Sequence, residues 1–140
     1  MILLDTGYLV ALHRTQDELH TRAAKWAMHL QEPLLLTEFV AVESLNAMSQ
    51  PDRRQSANHM IQQMMRDPAV TYVPSSDVLL SAGLDLHLRR PDKHWSLTNC
   101  ISFLIMQERK IRRALSHDQH FEQAGFEALL RKDPDEAASS

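Results

Sequence analysis

The sequence predicts an α/β domain in which a mostly parallel sheet is covered by helices on both faces. Three observations carry this. Short apolar runs without polar alternation recur at Ile2-Leu3-Leu4, Leu34-Leu35-Leu36 and Ala114-Leu115, as expected of strands buried on both sides. Segments with helical spacing separate them, and strands that alternate with helices imply parallel pairing through crossovers. Finally, a polar loop led by Pro91 runs into a helix whose first two turns, Cys100 to Met106, are apolar on nearly every side. A helix of that kind belongs inside a core.

In chain order, Ile2 to Leu4 reads as a buried strand stopped by the turn residues Asp5-Thr6-Gly7. A helix begins over Tyr8 to Leu12 and continues over Thr15 to Leu30, with Leu19, Ala23, Trp26 and Leu30 at helical spacing, until Pro33 breaks it. Leu34 to Leu36 is the second strand, and Thr37 is placed to cap a helix to about Met48. Pro51-Asp52 starts a Met-rich helix to about Arg66. Val70 to Val73 alternates as a third strand, and Pro74-Ser75-Ser76-Asp77 opens a helix through Leu88. The core helix spans Thr98 to about Arg109, with Ser96 as its N-cap. Ala114-Leu115 is the fourth strand, and Phe126 to Leu130 a last strand or edge. One domain is expected over residues 1–131, followed by a polar tail, 132–140, that frays.

Composition narrows the class. At 140 residues, 44% hydrophobic and 24% charged, the chain is of ordinary globular make-up and long enough to bury a core. The single cysteine, Cys100, has apolar neighbours and no internal disulfide partner, which suits a reducing compartment. Asp5 interrupts the apolar start, no basic residue precedes it, and no run approaches the ~18 apolar residues of a membrane span. A soluble, cytoplasmic protein is expected, with no membrane partner. A net charge of −3 argues against a general nucleic-acid binder, but leaves room for a local basic rim. Three clusters offer one: Arg53-Arg54; Arg89-Arg90 with Lys93; and Arg109-Lys110 with Arg112-Arg113.

In parallel α/β sheets, functional groups collect beyond the carboxyl ends of the strands. Asp5 follows the first strand directly, and Asp118 follows the fourth after Ser116 and His117. Glu43 lies about two turns into the helix after the second strand, sharing a face with Phe39 and Asn46, so that polar groups interrupt an apolar stripe. Asn99 opens the core helix. Taken singly, each is an ordinary turn, cap or helix residue; together they suggest one cleft. Carboxylates gathered there repel, and a hard divalent cation such as Mg²⁺ or Mn²⁺ resolves the conflict, because such ions prefer oxygen ligands. The chemistry implied is metal-assisted hydrolysis at a phosphodiester.

Competing motifs fare worse. Asp5-Thr6-Gly7 matches the aspartic-protease triplet, which needs an all-β frame. A phosphatase with a nucleophilic Asp would want a second Asp where Gly7 stands. The eight histidines form no convincing zinc set with Cys100, and His117 and His120 read as surface or rim residues. With three glycines, the chain has no phosphate-binding glycine loop.

The same residues carry a resemblance. Ile2-Leu3-Leu4-Asp5-Thr6, the segment from Leu36-Thr37-Glu38-Phe39-Val40 to Glu43-Ser44-Leu45-Asn46, Pro91-Asp92-Lys93 with Trp95-Ser96-Leu97-Thr98, and Ser116-His117-Asp118-Gln119-His120-Phe121 with Glu122-Gln123-Ala124-Gly125-Phe126 stand in one order over residues 2 to about 130. In these the chain resembles the PIN-domain family, in particular ribonuclease toxins of the VapC type. The resemblance implies a three-layer α/β/α sandwich, a Mg²⁺- or Mn²⁺-dependent endoribonuclease of a type II toxin–antitoxin pair, an RNA substrate, a cognate antitoxin and a homodimer. It maps catalytic and metal-binding roles onto Asp5, Glu43, Asn99 and Asp118. The family has Asp where this chain has Asn99. The amide keeps the shape but loses a negative charge and presents N–H donors. One unit charge at ~4 Å and an effective dielectric of ~20 corresponds to roughly 4 kcal/mol, so weaker metal binding and slower cleavage are expected. The alternative is a catalytically inactive module that keeps the fold and binds RNA or a protein.

Overall fold

The computed structural model describes residues 1–135. Its centre is one sheet of five strands: β1 (Ile2–Leu4), β2 (Leu34–Thr37), β3 (Val70–Val73), β4 (Arg113–Leu115) and β5 (Glu127–Ala128). The spatial order is β3-β2-β1-β4-β5, and every pairing is parallel. The chain therefore winds outward from β1 to β3, crosses back, and adds β4 on the other side of β1. That reversal creates a crevice beyond the strand ends between β1 and β4, where such sheets place their ligand sites.

Alternation along the strands builds the two faces. Ile2, Leu4, Leu36 and Leu115 point into one core with Tyr8, Leu9, Trp26, Val40 and Ile61. These come from α1 (Thr6–His13), α2 (His20–His29), α3 (Glu38–Ala47) and α4 (Arg54–Arg66). Leu3, Leu35, Ala114 and Ala128 point the other way, toward Ile101, Phe103, Ile105, Met106 and Phe121. That layer is α6 (Leu97–Arg109) and α7 (Gln119–Gln123), with α5 (Asp77–Arg89) packed on α6. The result is the three-layer α/β/α sandwich. Trp95, Phe121 and Phe126 surround Phe103, the first two edge-on with centroids 5.0 and 4.9 Å away. These rings fix the start of α6 against α7.

Caps fall where hydroxyls were available. Thr37 Oγ1 accepts the Val40 N–H, Ser76 Oγ that of Leu79, and Ser96 Oγ that of Asn99, at 3.0–3.1 Å. Lys110 ends α6 in the left-handed region at φ 58°, and Gly125 takes φ 93° in the turn before β5.

Three expectations need correcting. The helix expected from Tyr8 to Leu30 is two helices separated by residues 14–19, because the Asp17 carboxylate accepts the Leu19 N–H at 2.8 Å and closes a turn that competes with the helix. The helix expected from Pro51 starts at Arg54, after a turn. Phe126 to Leu130 is a two-residue strand that runs into a 3₁₀ turn, Leu129–Arg131. The five-residue α7 was not foreseen. Of the polar segment 132–140, residues 132–135 lie against α2: the Lys132 carbonyl accepts the Trp26 indole N–H at 2.9 Å, and Arg22 pairs with Asp133 at 3.0 Å. Residues 136–140 lie outside the described residues. Cys100 is buried and free, and no described helix is long and apolar enough to cross a membrane.

Candidate active site

The carboxyl ends of β1 and β4 meet in register, Leu4 opposite Leu115, so the residues that follow them are neighbours. The Asp5 N–H donates to the Leu115 carbonyl, which ties the two strand ends together. Asp5 Oδ2 accepts a 2.7 Å hydrogen bond from Ser116 Oγ. The same hydroxyl oxygen accepts the Asp118 N–H at 3.0 Å. Asp118 then caps α7, its Oδ1 accepting the His120 N–H at 2.9 Å. From the neighbouring layer, Glu43 on α3 is reached by Thr6 Oγ1, which donates to Oε1 at 2.5 Å. From the opposite layer, the first turn of α6 holds Asn99, whose amide nitrogen lies 3.3 Å from Asp118 Oδ2 and 3.3 Å from His120 Nδ1.

All four sequence-predicted positions, Asp5, Glu43, Asn99 and Asp118, thus line one cavity of about 370 Å³. Thr6, Gly7, His94, Ser96, His117 and His120 complete it, and among the described residues no lysine or arginine is in its wall. A larger groove of about 620 Å³ lies on the other side of Glu43, between Phe39, Val42 and Asn46 of α3 and Leu80 of α5. Glu38 and Asp77 line it together with Glu43, but Asp5, Asn99 and Asp118 do not.

Burial and charge act together on Asp5, which is 8% exposed. Removal from water pushes its carboxyl from 3.8 up to about 6; the Ser116 hydroxyl and the Thr6 N–H hold it down, while the Asp118 and Glu43 carboxylates raise it further. Three carboxylates, with no lysine or arginine among the described residues that line the cleft, leave it with an excess of negative charge.

That imbalance decides whether a divalent cation suits the residues. The donors are oxygens throughout, three carboxylates and one amide, which is the chemistry of Mg²⁺ and Mn²⁺. As they stand, the side chains bond to one another rather than converge: Glu43 is turned to Thr6 and Asp118 to Asn99 and to the start of α7. Among the described residues no three His, Cys, Asp or Glu form an ion-holding set. The donor chemistry fits a hard cation; its binding requires these side chains to exchange partners.

Sequence reasoning missed Ser116, Thr6 and His120. The signal for Ser116 was its place between strand and acid; for His120, the α7 cap that brings it back over Asp118. The histidines assigned to the rim do border the cleft. The basic clusters do not enter it: Arg89 pairs with Asp85 and Arg113 with Glu32, and Arg90 grips Asp92 through two 3.0 Å hydrogen bonds while lying 5.0 Å over the Trp95 ring. Asp92 is thereby held in an exposed ion pair away from the four positions.

A doubly wound parallel sheet with carboxylates gathered at its switch point defines a class of α/β domains built for chemistry at that crevice. Within that class the chain belongs to the PIN-domain family, whose model matches residues 2–127. Among solved structures it is similar to the Mycobacterium tuberculosis VapC20, a sarcin–ricin loop cleaving toxin, with TM-score 0.82 and 19% identity over 90% of this chain and 96% of that one. It is also similar to FitAcB from Neisseria gonorrhoeae, with TM-score 0.67 and 16% identity over 91% and 95% of the two chains. A toxin–antitoxin complex from Klebsiella pneumoniae gives TM-score 0.61 and 11% identity over 85% and 88%. A search of curated protein sequences gives no match.

Proposed function

We propose that this protein is a divalent-metal-dependent endoribonuclease, the toxin of a type II toxin–antitoxin pair of the VapC type, slowed by Asn99. The observation that carries the reading is the meeting of Asp5, Glu43, Asn99 and Asp118 in one arginine- and lysine-free cleft at the switch point of a PIN domain. Its likeness to a toxin that cleaves the sarcin–ricin loop and to a toxin–antitoxin complex supports the RNA substrate and the antitoxin partner. A homodimer and a cytoplasmic setting complete the reading.

Asp5, Glu43, Asp118 and the Asn99 carbonyl oxygen would hold Mg²⁺ or Mn²⁺. When bound, the cation supplies positive charge against the phosphodiester and lowers the pKa of a water in the cleft. The protein's own part is placement. Ser116 holds Asp5 and Asp118 as a unit, and Thr6 holds Glu43 over them. Asp5, whose carboxyl burial raises to about 6, would have to be ionised to serve as a ligand. The neutral amide at 99 weakens the whole set.

A second reading, a catalytically silent PIN fold that binds RNA or a protein, is favoured by one observation. The Asn99 amide already donates to Asp118, doing in part what a cation would do. Asp5→Asn introduced into the Asn99→Asp protein separates the two. Loss of RNA cleavage supports the nuclease, and undiminished cleavage removes Asp5 from the site.

A further inference from the structure

The acidic cleft has to admit a polyanion, yet most of the donors in its wall are already engaged. Thr6 Oγ1 is committed to Glu43, the Asn99 amide to Asp118 and His120, and Ser96 Oγ is drawn to the Asn99 N–H as the cap of α6. Among the described residues that line the cleft, His94 and His117 are exposed, and their rings take part in no hydrogen bond or ion pair. His117 adjoins Asp118, one of the four site positions, so its effect cannot be kept apart from that acid. His94 stands five residues before Asn99, on the loop that leads into α6.

Its neighbours on both sides are anchored. Trp95 is buried edge-on against Phe103 at 5.0 Å and donates its indole N–H to Gln123 Oε1 at 3.2 Å. Arg90 lies 5.0 Å over the same ring and is held by both oxygens of Asp92, while the Lys93 N–H closes a turn on the Arg90 carbonyl at 3.1 Å. The loop is thus held in place by residues 90–93 and 95–96, and the side chain of His94 is left free in the cleft wall. We propose that His94 is a substrate-binding residue: its ring N–H donates to a non-bridging phosphate oxygen of the RNA backbone beside the scissile bond. This rests on the nuclease reading above, and it names the group that meets the polyanion in a wall without lysine or arginine. A neutral imidazole already carries one N–H, so the contact needs no change of protonation. A phosphate contact of this kind sets the register of the RNA without reading its sequence.

The test is steady-state cleavage in Mn²⁺ by the Asn99→Asp protein, with its cutting position on a structured RNA mapped first. Adding His94→Ala should raise KM roughly tenfold or more, the scale of one hydrogen bond to a charged group, and change kcat by less than about threefold. Mn²⁺ affinity, read by calorimetry, should stay within about twofold, because His94 is no partner of the four site positions. His94→Gln keeps an N–H donor and should recover most of the loss in KM, whereas His94→Phe keeps a flat ring without a donor and should recover none. Methylphosphonates placed one at a time at the linkages flanking the cut should reveal one that weakens the Asn99→Asp protein and has no further effect once His94→Ala is added. Recovery by Phe instead of Gln points to a stacked base and overturns the phosphate contact. An unchanged KM, a loss of Mn²⁺ affinity as large as the loss in KM, or effects of His94→Ala that add to those of every methylphosphonate overturn the proposal too, and leave the nuclease reading intact. If the Asn99→Asp protein cuts no RNA, that reading fails and the proposal with it.

Discussion

Ser116 and Asp5, 111 residues apart in sequence, are joined by a 2.7 Å hydrogen bond between the Ser116 hydroxyl and Asp5 Oδ2. The same fully buried hydroxyl accepts the Asp118 N–H, so a single oxygen sets the relative position of two of the four cleft positions. Ser116→Ala removes the donor that favours ionised Asp5 and leaves the Asp118 N–H without its acceptor. The Asp5 carboxyl should then titrate above about 6, seen by NMR of its side-chain carbon. Stability should fall by roughly 1–3 kcal/mol in a denaturant titration, the usual cost of orphaned buried polar groups.

Asp5 itself is a stability cost to the metal-free fold. Its carboxyl rises on folding from 3.8 to about 6, so between those values the folded chain keeps a proton that the unfolded chain has lost. Stability therefore declines as pH rises through that window, and the full penalty of up to roughly 3 kcal/mol is present at pH 7 and above. Asp5→Asn should be more stable than its parent at pH 7 in EDTA, and the advantage should vanish near pH 4. Added Mn²⁺ should stabilise the parent and not the variant. Thermal unfolding across pH, with and without Mn²⁺, reads all three effects.

Much of this arrangement was legible in the sequence because burial on both faces writes itself as short apolar runs. Leu3 and Leu35, packed on the opposite face from Leu4 and Leu36, are what make those runs continuous. Asp5 and Asp118 followed from the strand-exit rule, and Glu43 from its break in an apolar stripe. What escaped depends on contacts between distant segments. The meaning of Ser116 appears only once β4 is set in register against β1. The helix α7 is too short to show a period, and its cap is the very residue that reads as the end of a strand. Asp17 separated the stretch from Tyr8 to Leu30 into two helices because one side-chain turn outcompeted a pattern that was otherwise sound.

Gly83 marks the closest approach of α5 to α6. A Cβ there would meet Ile101 Cγ1 at 2.4 Å and Leu97 Cδ1 at 3.4 Å, and Ile101 is completely buried, with no room to retreat. Gly83→Ala gains about 1 kcal/mol of helix propensity but incurs an overpacking cost of roughly 1–3 kcal/mol. A net loss of stability by chemical denaturation is expected, accompanied by reduced Mn²⁺ affinity because α6 carries Asn99.

Phe103 is the hub of the aromatic cluster that fixes the start of α6 to α7, and it is 2% exposed. Phe103→Ala should cost roughly 3–5 kcal/mol by equilibrium unfolding. Phe103→Leu, which retains most of the volume, should cost far less.

The central claim is that an acidic, cation-dependent site for RNA cleavage survives here with one charge missing. The most direct measurement compares cleavage of structured RNAs by this chain and by its Asn99→Asp form in Mn²⁺, in Mg²⁺ and in EDTA. One charge at ~4 Å bounds the effect at roughly 4 kcal/mol, several hundredfold in rate or affinity. The account predicts that the Asn99→Asp form cuts at least tenfold faster than the parent, and that EDTA abolishes cleavage by both. Equal rates for the two forms, cleavage that survives EDTA, or no cleavage by the Asn99→Asp form on any RNA tried would contradict it.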